Sequence, residues 1–125
     1  MPFVYVPLKT FQPSLEEVKK ELYKLSECYK NLENKGFDPI SWFEKDLDLD
    51  IKNLEKIIEK ISSVKQGGKI LGRFDYIKRE VKNLKEKRAE LILGNYYTFY
   101  SSGAKEIFSL FSDFLKYLTN FVENQ

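Results

Sequence analysis

Three aspartates at alternate positions, Asp46, Asp48 and Asp50, are the first residues whose types and spacing could do chemistry. They match the opening of a calcium loop, in which successive odd-numbered carboxylates wrap a hard cation. That loop also needs glycine at its sixth position and a bidentate glutamate at its twelfth. Ile51 and Ile57 stand there, so the pattern fails, and the carboxylates read as part of a solvated helix face. Gly67 and Gly72 have the spacing of a phosphate-binding loop. Arg73 replaces the lysine that reaches the phosphates, Phe74 replaces the magnesium-binding hydroxyl, and no strand precedes them. These glycines read as turn and helix-start residues.

Cys28 is the only cysteine and histidine is absent altogether. A thiol without histidine lacks its usual activating base, so Cys28 reads as a half-buried structural residue. One cysteine excludes an internal disulfide and fits a reducing compartment. Without histidine the commonest general base and the commonest metal ligand are both missing. No catalytic residue, metal or cofactor is expected, and the expected role is non-enzymatic.

Two features survive. Tyr96, Tyr97, Phe99 and Tyr100 crowd into one short stretch between two helical patterns. Such rings could stack on bases, but single-strand binders pair them with a positive groove, and the neighbours Asn95, Thr98, Ser101 and Ser102 are neutral. Core or protein-interface packing is the favoured reading. Arg88 is the second feature. It interrupts the apolar series Phe74, Ile77, Val81, Leu84 and Leu91 where another apolar side chain is due. A buried guanidinium must meet a carboxylate or helix-end carbonyls; at the rim of a core it can instead extend to water. Both readings stay open, so Arg88 is expected in an internal ion pair or an interface.

The elements that position these residues follow from periodicity. Residues 1–13 contain Phe3, Val4, Tyr5 and Val6 between Pro2 and Pro7, which predicts a short extended arm lying on the core or on a partner. Ser14 and Glu17 form a capping box, and Leu15, Val18, Leu22, Leu25, Tyr29 and Leu32 form one seam ending at Gly36. Asp38 and Pro39 open a second helix as cap and first residue, with Phe43, Leu47, Ile51, Leu54, Ile58 and Ile61 facing inward. The Gly67-Gly68 pair allows a reversal into a third helix from about Lys69 to Leu93. Asn95 to Ser102 is expected as a loop, with Ser102 capping a last helix that runs to about Glu123.

That last helix carries Phe108, Phe111, Leu115, Leu118, Phe121 and Val122 among few charges, a wider apolar arc than one bundle core requires. With the aromatic run Tyr96, Tyr97, Phe99 and Tyr100, these residues are the expected interface. The fold class is therefore all-α: a mostly antiparallel four-helix bundle with a short extended N-terminal arm and a single helical domain over residues 14–125. At 125 residues, 42% apolar and 32% charged, such a domain can bury a core without disulfides. A net charge of +2, with lysine and glutamate interspersed, gives no field for strong direct nucleic-acid binding. No secretion signal or membrane span is evident, which makes a cytoplasmic location the expectation.

The order of helices resembles the helical domain of GINS subunits of the archaeal replication machinery, of the type with that domain first. Ile40-Ser41-Trp42-Phe43-Glu44 followed by Leu47, Ile51 and Leu54 is similar to an early helix of that family. Lys78-Arg79-Glu80-Val81 through Leu84, Lys87, Arg88 and Leu91 is similar to a later one, and Ser101 to Phe108 with Phe111, Phe114 and Leu115 to the last. These are helix-face patterns spanning roughly Asp38 to Leu118. The loop is aromatic where the family's is plain, and the β-rich domain that commonly follows has no counterpart here. The resemblance implies a non-catalytic subunit in DNA replication, assembling with other GINS-like subunits, the MCM helicase and a Cdc-type or RecJ-like partner, and activating unwinding. The alternative is an unrelated four-helix interaction module, such as an adaptor, immunity or viral protein, that binds through its apolar last helix. In either case a homo- or hetero-oligomer is expected.

Overall fold

The computed structural model describes the backbone of residues 5–62 and 67–124, with side chains over 16–61 and 68–124. Among them are four helices and no strand. Helix α1 is Tyr5–Lys35, α3 is Gly67–Leu93 and α4 is Tyr97–Glu123. Between α1 and α3, α2 runs through three parts in succession: Pro39–Ser41, a π-helical turn Trp42–Asp46, and Leu47–Ser62. No described helix is long and apolar enough to cross a membrane.

Contacts between neighbours establish an antiparallel order. Tyr29 of α1 meets Asp50 of α2, Glu44 and Asp48 of α2 meet Arg88 and Lys85 of α3, and Phe74 of α3 meets Phe114 of α4. The ring closes where Glu33 and Ser26 of α1 meet Ser112 and Thr119 of α4. Short connections between long helices leave little choice but this up-and-down arrangement.

Helix α4 packs against all three others, which explains its broad apolar arc. Ile107, Phe108, Phe111, Phe114, Leu115, Leu118 and Val122 are buried in the chain's own core, and Phe121 packs against it partly covered. A helix facing three neighbours must be apolar over most of its circumference. The expectation that Phe108, Phe111, Leu115, Leu118 and Val122 form an interface is corrected accordingly. Their burial is spent within the bundle, at roughly 1.5–3 kcal/mol for each large side chain.

The caps of the first connection stand as read from the sequence. Gly36 adopts φ 68°, the left-handed conformation that ends α1. Phe37 then lies against Phe108 with ring centroids 4.2 Å apart. Asp38 caps α2, its Oδ1 accepting the Ile40 N–H at 3.1 Å, with Pro39 in the first turn.

Two other boundaries differ from expectation. Helix α1 begins at Tyr5, so residues 5–13 are helical rather than an extended arm, and Ser14 lies inside the helix instead of capping it. Proline in a first turn sacrifices no intrahelical bond, so Pro7 is compatible with this start, and one interior proline is a local defect that a long helix can carry. Residues 1–4 lie outside the described residues. At the other end of the chain, α4 begins at Tyr97, so most of the expected loop from Asn95 to Ser102 is helix. The turn closes through Gly94 and Asn95, the latter at φ 61°, with the Tyr96 N–H donating to the Leu91 carbonyl at 2.7 Å. A Cβ at Gly94 would stand 2.7 Å from the Tyr96 ring, so a larger residue there displaces that ring. Tyr100, fully buried edge-on to Phe43, anchors the first turns of α4 and overrides the modest helix preference of its neighbours.

Candidate functional site

The π turn of α2 is where the polar side chains converge. A π turn inserts an extra residue into an α-helix and changes which side chains face the core. Trp42 and Phe43 are both buried, and Glu44 projects beyond them toward α3 and α4. Leu47 closes the turn by donating its N–H to the Trp42 carbonyl.

On one side of this turn, Arg88 Nε donates to Glu44 Oε2 at 2.7 Å and the Tyr100 hydroxyl donates to the same oxygen at 2.8 Å. These bonds hold the Glu44 carboxyl below its usual range, the Arg88 bond first and the Tyr100 bond second. Burial, then the Glu44 carboxylate, push Tyr100 up to about 12. Arg88 is shifted upward by the same partners. Its side chain is 48% exposed, so the interruption in the α3 stripe is an ion pair at the rim of the core. The carboxylate partner is present, but the pair is exposed, so Arg88 fits the reading at the rim of the core and not that of an internal pair. Lys85 and Asp48 make a second, more exposed pair one turn away at 2.6 Å.

On the other side, Trp42 Nε1 donates to the Tyr29 hydroxyl at 3.2 Å, and that hydroxyl donates to Asp50 Oδ2 at 2.8 Å. Tyr29 stacks on Phe108 and Phe111, each at a centroid distance of 5.0 Å. Its hydroxyl is shifted well above its ordinary value, by burial first and by the Asp50 carboxylate second. Burial also raises Asp50, with the Tyr29 bond opposing. Asp50 borders a hollow of about 400 Å³ between α1 and α2, whose lining includes Cys28, Lys24 and Lys56. The thiol is exposed there, not half-buried as its place beside the seam suggested.

The three alternate aspartates separate as helix geometry demands. Asp46 is exposed, Asp48 pairs with Lys85 and Asp50 meets Tyr29. Among the described residues, no group of three histidine, cysteine, aspartate or glutamate side chains is placed to hold a metal ion.

The aromatic run divides. Tyr100 is buried, whereas Tyr96 and Tyr97 are about half exposed and Phe99 is 65% exposed. Leu93, ending α3 just before them, is 86% exposed. Tyr96 and Phe99 lie 5.7 Å apart, ring to ring. The α3–α4 corner is therefore an apolar knuckle on a short, hydrogen-bonded turn. Of the expected interface residues, the structure leaves Tyr96, Tyr97 and Phe99 available and brings Leu93 beside them.

Tyr29, Glu44 and Leu93 are not singled out as site residues by the sequence, and Asp50 is singled out only within the calcium-loop pattern that fails. Only Tyr29 carried a signal: a tyrosine on an apolar seam must find a partner for its hydroxyl. The partners of the others come from separate helices. No protein-family model, characterised protein or solved structure matches this chain.

Proposed function

We propose that this chain is a non-catalytic helical module that binds a protein partner through the α3–α4 knuckle. The observation that carries the reading is the exposure of Leu93, Tyr96, Tyr97 and Phe99 together at one turn, while most of the apolar arc of α4 is buried. Rigid aromatic side chains lose little conformational freedom on binding and are enriched in the centres of protein interfaces. The polar networks at the π turn serve to hold the helices in register, since each ties α2 to its neighbours.

A second, more specific reading is that the partner belongs to a GINS-type replication assembly. What supports it is the order of the helix stretches that resemble that family, Ile40 to Leu54, Lys78 to Leu91 and Ser101 to Leu115, which fall in α2, α3 and α4 in turn. Affinity purification from the native host tests both readings. Wild-type protein is expected to retain a partner that the Tyr97→Ser/Phe99→Ser variant loses at unchanged thermal stability. Recovery of the MCM helicase and another GINS-like chain would support the replication assembly; a different knuckle-dependent partner would remove it and keep the module. Equal recovery by wild type and variant would overturn the knuckle as the binding surface.

A further inference from the structure

A second surface lies along the α3–α4 pair, where the two helices bound a groove of about 640 Å³. Its floor is Leu84, Gly103 and Ile107. Gly103 lets the helices approach closely, since a Cβ there would stand 3.0 Å from Leu84 Cδ1. The charged residues on its walls segregate along its length. Glu80, Glu106 and Asp113 gather toward the end marked by Tyr76, and the Tyr76 hydroxyl is drawn to Glu80. Lys87 and Lys105 occupy the end nearer the knuckle, and Lys105 also borders a second hollow with Ile40 and Tyr97. Among the described residues none of these five charged groups makes an ion pair within the chain.

The geometry points to a second copy of this chain seated antiparallel in the groove, with the acidic end of each copy against the basic end of the other. A two-fold interface requires a surface that is its own complement, and an apolar floor with opposite unpaired charges at its two ends meets that requirement. A two-fold axis beside Asn83 and Leu84 lies midway between Glu80 and Lys87 on α3. It sets Glu80 of each copy against Lys87 of its partner. Rim charges of this kind fix register and orientation more than they add affinity. This dimer uses a face distinct from the knuckle and does not depend on the partner proposed above.

Charge exchange tests it. Sedimentation equilibrium of the full chain is expected to show a dimer. Lys87→Glu and Glu80→Lys, each alone, should weaken it about tenfold by placing like charges opposite each other. An equimolar mixture of the two variants should recover wild-type affinity, because both cross-axis contacts in the mixed dimer are again of opposite sign. Phe99→Ser should leave the dimer intact. Circular dichroism establishes that each variant is folded. A wild-type monomer at high concentration, failure of the mixture to recover, or loss of association in Phe99→Ser would each overturn the proposal.

Discussion

Replacing Tyr29 by phenylalanine removes one oxygen from the centre of the bundle and little else. The ring remains between Phe108 and Phe111, so the aromatic stack is retained. Two polar groups lose their partner. The Trp42 Nε1–H, on a side chain only 2% exposed, loses the hydroxyl at 3.2 Å and keeps only the adjoining Asp50 carboxylate as a second acceptor. A buried donor left unpaired costs about 1–3 kcal/mol. Asp50 loses a donor at 2.8 Å, and a bond to a charged acceptor contributes about 1.5–3 kcal/mol. The second loss is partly offset, because Asp50 borders a hollow roomy enough for water to take the donor's place. The expected net destabilisation is therefore about 2 kcal/mol, a large share of the roughly 5–15 kcal/mol that holds a domain together. In urea the midpoint should fall by roughly 1–2 M with little change in slope. Trp42 is the only tryptophan, so its fluorescence reports the local environment alongside far-ultraviolet circular dichroism. A loss below about 1 kcal/mol would show that the hydroxyl does not hold Trp42 in place, and the account of this network would fail.

Asp50→Asn should keep an acceptor for Tyr29 while removing a carboxyl that burial makes hard to ionise. The folded state holds the Asp50 proton more tightly than the unfolded chain. Its contribution is thus full below the ordinary value of 3.8 and is lost as pH rises through the raised folded value. The variant should gain on wild type across that window in urea melts; an unchanged difference would refute the shift. Glu44→Gln should behave oppositely. Its contribution is present above 4.5 and lost as pH falls through the lowered folded value, so the deficit of the variant should vanish in acid. Arg88→Leu should lower the melting temperature, and Arg79→Leu should do so less, because only Arg88 bridges two helices; equal effects would remove any special role for Arg88. Gly103→Ala should change stability by no more than about 1 kcal/mol, since better helix propensity offsets the displacement of Leu84. Gly103→Val should cost about 1–3 kcal/mol by forcing α3 and α4 apart, as chemical denaturation would show.

The sequence alone determined four helices, their antiparallel order and most of the inward faces. Those properties follow from short-range rules: the repeat of Val18, Leu22 and Tyr29, the Gly36 terminator, the Asp38-Pro39 start. Tertiary structure alone decided which apolar residues were left over. The arc of α4 and the aromatic stretch around its first turn look alike in one dimension, since both are dense in large apolar side chains. One is core because α4 faces three helices; the other is surface because it turns a corner beyond them. Arg88 makes the same point. Its spacing marked it as an intruder on an apolar stripe, but its partner Glu44 was set by a π turn and by the meeting of α2 with α3. Periodicity reports which face of a helix seeks cover. What provides that cover depends on helices distant in sequence, and only the assembled bundle specifies them.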